Sequence, residues 1–195
     1  MNKRRFMENN KGYSLIELII VIAITALLTA AAYVTLSVMH SAKAKEASTT
    51  FESELNELSN KARGQMCVVS DVEKPTYKFC LKLYTINGKP YIKQGYYKGA
   101  ELAFDSESSY TFIDSENVGS GKGISLSSYV DVSYTPFGGT ETLIGEGSEE
   151  LECVYIVFDK NGNCLNGSGE FSFRRKNGNM IATVTLNKNG SHQQN

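Results

Sequence analysis

The chain has 195 residues, 41% of them hydrophobic and 21% charged, with 20 basic and 21 acidic side chains and a formal net charge of −1. That length suits one domain of ordinary size with an appendage, and the composition excludes wholesale disorder, collagen and a dense disulfide scaffold. A net charge near zero argues against a protein that coats nucleic acid.

The charges are unevenly spread. Residues 1–12 carry Lys3, Arg4, Arg5 and Lys11 against Glu8, and residues 13–39 carry only Glu17. From Leu18 to Met39 no residue has a formal charge, and Thr25, Thr29, Thr35 and Ser37 are the polar ones. As a helix that run spans roughly 33 Å, enough to cross a bilayer core. The basic leader predicts a single-pass anchor in the cytoplasmic membrane with its N-terminus in the cytoplasm. Glu17 interrupts the apolar run near its start. Leaving a carboxylate unpaired in lipid costs on the order of several kcal/mol, so it either snorkels to the headgroups or needs a partner.

The string Lys11-Gly12-Tyr13-Ser14-Leu15-Ile16-Glu17-Leu18-Ile19-Ile20-Val21-Ile22-Ala23-Ile24 resembles the class III signal of type IV prepilins and pseudopilins. The resemblance implies a leader peptide over residues 1–12, cut by a prepilin peptidase between Gly12 and Tyr13. It implies methylation of the new amine of Tyr13, where the family usually has Phe or Met. It also implies that Glu17 pairs with the N-terminal amine of a neighbouring subunit. The physics agrees: an amine and a carboxylate meeting in a low-dielectric helix bundle attract strongly, and each alone would be costly there. Such a pair can set the axial register of packed helices. The rival is an ordinary secretory signal cut near Ala30-Ala31-Ala32, but the apolar run exceeds the usual length of about 7–15 residues and contains Glu17.

Past Met39 the helical period continues through Ala44, Ala47, Phe51, Leu55, Leu58 and Ala62, with Gly64 as a stop. Residues 13–39 therefore read as a membrane and filament-core helix, and residues 40–64 as its amphipathic half. Residues 65–195 turn to β patterns. Runs at Tyr77–Tyr84 and Tyr91–Tyr96 flank Asn87-Gly88-Lys89-Pro90, a hairpin signal. Cys153–Phe158 precedes the turn Asp159-Lys160-Asn161-Gly162, and Phe171–Arg174 and Met180–Leu186 flank Lys176-Asn177-Gly178-Asn179. The expected fold is α+β: a long N-terminal helix packed on an antiparallel β head of one or two sheets. Residues 99–152 hold eleven acids and one base, Lys122, and read as long Gly/Ser-rich surface loops with strands around Tyr110–Ile113 and Ile124–Val132. The strings Val157–Gly162, Gly169–Phe173 and Met180–Val184, ending at Asn189-Gly190, look like the β domain of H-type pseudopilins and related minor pilins.

Cys67 and Cys80 are 13 residues apart, and Cys153 and Cys164 are 11 apart. Local pairing in an exported chain would contribute about 2–3 kcal/mol per bridge, but four cysteines allow three connectivities and spacing does not choose among them. The spacings lack CxxC, and His40 and His192 are remote, so no zinc site is expected. Asp159, Asn161, Asn163 and Glu170 fall at calcium-loop positions, yet Cys164 stands where glycine is needed and a plain turn explains them. Arg174-Arg175-Lys176 is the basic cluster outside the leader. Some related minor pilins bind DNA through a C-terminal basic patch, which makes DNA uptake an alternative function, but three cations at one turn offer few phosphate contacts. Nucleic acid is not expected among the partners. No catalytic arrangement, metal or cofactor is expected either. The expected partners are other pilin or pseudopilin subunits, the prepilin peptidase, a membrane-embedded assembly platform and the cytoplasmic membrane, with a final place at the cell surface or in an extracellular filament. A membrane-anchored binding module unrelated to pili is the remaining alternative.

Overall fold

The computed structural model describes residues 13–64, 78–98, 104, 106–113, 121–176 and 178–195. The leader with Gly12, and the segment holding Cys67, lie outside the described residues. Two compact units divide at the junction of Met39 and His40. A single helix, α1 (Leu15–Gly64), contributes to both.

In the first unit α1 is apolar on every side, and its large side chains from Leu15 to Met39 are exposed. Its few polar side chains are satisfied locally. The hydroxyls of Thr25, Thr29 and Thr35 donate to the carbonyls of Val21, Thr25 and Ala31 at 2.9, 2.7 and 3.0 Å. A threonine bonded one turn back presents little more than a methyl group to its surroundings.

The second unit, His40–Asn195, is the head. It contains β1 (Lys78–Ile86), β2 (Lys89–Tyr97), β3 (Tyr110–Phe112), β4 (Ile124–Ser125), β5 (Val130–Pro136), β6 (Thr142–Leu143), β7 (Cys153–Phe158), β8 (Cys164–Asn166), β9 (Gly169–Arg175), β10 (Met180–Leu186) and β11 (His192–Gln194). One sheet runs β3-β2-β1-β7-β8, with β4 also on β2, and the other runs β11-β10-β9-β5-β6. Every pairing between these strands is antiparallel.

The β1–β2 hairpin forms where expected and extends two residues further on each strand, with Ile86 paired to Lys89 across the two-residue loop Asn87-Gly88. Both loop residues have positive φ, 51° and 68°. That geometry matches the twist of a hairpin and is what an Asn-Gly pair tolerates.

The buried stripe of α1 is Ala44, Ala47, Ser48, Phe51, Leu55, Leu58, Ser59 and Ala62, so every residue of the expected apolar stripe is inside. Its apolar side chains share one core cluster with Leu81, Leu83 and Ile156 of the first sheet and with Val132, Phe171, Phe173 and Val184 of the second. Phe51 meets both Phe171 and Phe173, at ring distances of 4.8 and 5.6 Å.

The acidic stretch carries strands at both expected places, Tyr110–Phe112 and within 124–132, and more strand than expected beyond them. It supplies β3, β4, β5 and β6, and β5 lies between β9 and β6 inside the second sheet. The single run expected at Ile124–Val132 is two strands in different sheets, β4 and β5. The strip around Phe104 and Tyr110 covers the outer face of the first sheet in a second cluster with Cys80, Tyr97 and Val157. Tyr110 stacks on Tyr155 at 4.1 Å, and its hydroxyl donates to the Phe104 carbonyl at 2.7 Å. Aromatic burial and a satisfied hydroxyl hold the segment despite its charge.

Candidate functional site

The first turn of α1 is built as a capping box. Ser14 sits just before the helix; its hydroxyl accepts from the Ile16 N–H at 3.3 Å, while the Glu17 carboxylate accepts from the Ser14 N–H at 2.8 Å. The spacing Ser-x-x-Glu carries this signal, and the reading of Glu17 as an assembly residue passed over it. An acid in the first turn also complements the helix dipole. Glu17 thus holds the helix start closed, and the carboxylate has a second oxygen to offer elsewhere. Tyr13, directly before this box, is 90% exposed.

The remaining candidate residues do not gather around this site. Arg174 pairs with Glu141 at 2.5 Å, and the Lys176 amine donates to the Gly88 carbonyl at 3.2 Å. The basic turn is therefore spent partly on holding hairpin ends together. Among the described acids of 99–152, several are likewise engaged. Glu107 pairs with Lys82 at 2.6 Å, Glu146 accepts from the Asn87 N–H at 3.1 Å, and Glu150 accepts from the Gly147 N–H at 2.8 Å. Lys82 also lies 5.3 Å from the ring centres of both Tyr84 and Tyr155.

Cys80, Cys153 and Cys164 are free thiols. Cys164 stands opposite Phe158, at the far end of β7 from Cys153. Five strand residues span roughly 17 Å, and a disulfide needs Cα atoms within about 7 Å. Burial raises the Cys80 thiol above its ordinary range and pushes Cys164 up to about 12. A Cys67–Cys80 bridge falls partly outside the described residues.

The Asp159 loop uses its own carboxylate. Asp159 accepts from the backbone N–H groups of Asn161 and Asn163, each at 2.8 Å, and from the Asn163 amide at 2.9 Å. Burial pushes this carboxyl up, but those hydrogen bonds outweigh it and hold it below its usual range. Glu170 lies on β9, exposed, and is not among the residues bonded to Asp159. Among the described residues no group of three or more His, Cys, Asp or Glu side chains is placed to hold a metal ion.

The geometry therefore leaves the N-terminal helix as the functional element: a capped start with an exposed tyrosine, then a charge-free run long and apolar enough to cross a membrane. Residues 7–33 match the model of the prokaryotic N-terminal methylation motif. No curated protein and no solved structure matches the chain. With the long apolar helix that follows, the motif is a class III prepilin leader. The match supports a type IV pilin-like or pseudopilin protein, processed by a prepilin peptidase and assembled with other pilins.

Proposed function

We propose that the chain is a structural subunit, a minor pilin or H-type pseudopilin, of a type IV pilus or a type II secretion pseudopilus. It waits in the cytoplasmic membrane with its N-terminus in the cytoplasm. The prepilin peptidase cuts between Gly12 and Tyr13 and the Tyr13 amine is methylated. A membrane-embedded platform then moves the subunit into a filament that ends at the cell surface. The observation that carries this reading is the exposed charge-free face of α1 through Met39, preceded by one carboxylate. Such a surface must be covered by lipid or by like helices, and exchanging one cover for the other is assembly. The role is mechanical, with helix packing building the fibre and the head presenting surface.

Two measurements test it. Intact mass of the cellular protein should show loss of residues 1–12 and gain of one methyl group; loss of residues 1–32 instead would identify an ordinary signal peptide. Glu17→Gln and Glu17→Ala should both abolish incorporation into filaments, although Gln preserves the capping box. Normal assembly of Glu17→Gln would show that Glu17 serves the helix start alone and that no ionic pairing sets the register.

A further inference from the structure

We propose that the face of the head around His40 and Tyr129 rests on the phospholipid headgroups before assembly, with Tyr129 as its anchor. The inference depends on the reading of Leu18–Met39 as a membrane span. His40 is the residue bonded to the end of that span, and its ring stacks on Tyr129 with centroids 4.6 Å apart and planes at 16°. Tyr129 therefore packs on the residue with which the head begins, directly after the span.

Despite that stack, Tyr129 is 45% exposed. The turn after β9 joins the same face: the Lys176 N–H donates to the Tyr129 carbonyl at 2.9 Å, and the turn leads into Met180, which is 51% exposed. Lys43 stands one helical turn beyond His40, and Lys176 reaches the carbonyl of Gly88, next to Lys89. The face thus combines two exposed apolar side chains with two lysines at its edge, Lys43 paired with Glu46 and Lys176 bonded to the Gly88 carbonyl. A tyrosine favours the headgroup layer because its ring is apolar and its hydroxyl is wet, and lysines reach phosphates from the same depth. Of the acids nearby, Glu46 is paired with Lys43 at 2.7 Å and Glu146 accepts from the Asn87 N–H at 3.1 Å. Phe137, 52% exposed, is the contrast. It follows β5 at the end opposite Tyr129, roughly 26 Å away along the strand.

The chain contains no tryptophan, so single tryptophans report position without interference. The mature chain in phospholipid nanodiscs carrying a nitroxide just below the headgroups would be compared in four variants: Val34→Trp, Tyr129→Trp, Met180→Trp and Phe137→Trp. Val34→Trp, Tyr129→Trp and Met180→Trp should lose emission at least about two-fold, and Phe137→Trp should not change. Quenching at Val34 without quenching at positions 129 and 180 overturns this inference and leaves the membrane reading intact. No quenching at Val34 overturns both. Equal quenching at Phe137 shows a head that lies on the bilayer without a preferred face, which also overturns it.

Discussion

The ring of Phe51 lies 4.8 Å from that of Phe171, tilted by 53°, and this contact is where α1 closes on the second sheet. Both residues are fully buried, and Phe173 flanks them. Truncating Phe51 to alanine would remove the largest helix side chain from the core and leave a cavity that two sheets cannot both collapse into. Phe51→Ala should cost about 3–5 kcal/mol, read as a lower denaturant midpoint with little change in slope. An unchanged midpoint would mean the helix is not a wall of the core.

A pH effect follows from Glu141. Hydrogen bonds from the Ser133 hydroxyl and then the Arg174 guanidinium hold its carboxyl below the usual range. A carboxylate lowered in the folded state stabilises the fold fully above its unfolded value, and that stability is lost as pH falls through the folded one. The pair is partly exposed, so solvent screening keeps the effect small. Glu141→Gln should cost about 1 kcal/mol near pH 7 and progressively less at an acid pH that falls through the lowered folded value. Unfolding midpoints of both proteins at neutral and acid pH check this. Burial raises the Glu54 carboxyl instead, so its contribution runs the other way and is lost as pH rises.

How much was legible beforehand depends on how local each interaction is. The buried stripe of α1 was readable because Phe51, Leu55 and Leu58 repeat at helical spacing, and Asn87-Gly88 specifies its own turn. β6, β8 and β11 are only two or three residues long, too short for any period to show. β5 was cut short because Ser133 and Tyr134 break its apolar alternation; its ladder to β9 is a backbone matter. The acidic stretch looked solvated because its partners Lys82 and Arg174 are distant in sequence. The Ser14–Glu17 box is a different case: its Ser-x-x-Glu spacing is local and legible in the sequence, although it lies at the edge of an apolar run.

The cysteines give a chemical test. Cys153 is half-buried, whereas Cys80 and Cys164 are buried. Burial raises all three thiols, least completely at Cys153, where a hydrogen bond to Tyr155 and the charge of Lys82 work against it. An alkylating reagent added to the native protein should label Cys153 first. Cys164 should react only after unfolding, and no peptide joining Cys153 to Cys164 should appear in a non-reducing digest. Recovery of that cross-linked peptide would require β8 to slide along β7 out of its register.

At Gly95 the backbone of β3 leaves no room for a side chain on β2. A Cβ there would stand 2.4 Å from the Thr111 carbonyl oxygen and 2.9 Å from the Phe112 Cα, both backbone atoms that cannot turn aside. Gly95→Ala must therefore push β3 away from β2, and β3 carries Tyr110, whose ring stacks on Tyr155 over the outer face. The expected cost is about 1–3 kcal/mol, the range for forcing extra volume into a packed site. The aromatic cluster should loosen before the main core does, because Phe51 and its neighbours lie on the other face of the sheet. Near-ultraviolet dichroism from the tyrosines should fall while far-ultraviolet dichroism holds. Gly64→Ala, where the added carbon meets nothing within 4 Å, should change neither signal. If Gly95→Ala behaves like Gly64→Ala, the strip around Tyr110 does not pack against β2 and the outer face of the first sheet is open to solvent.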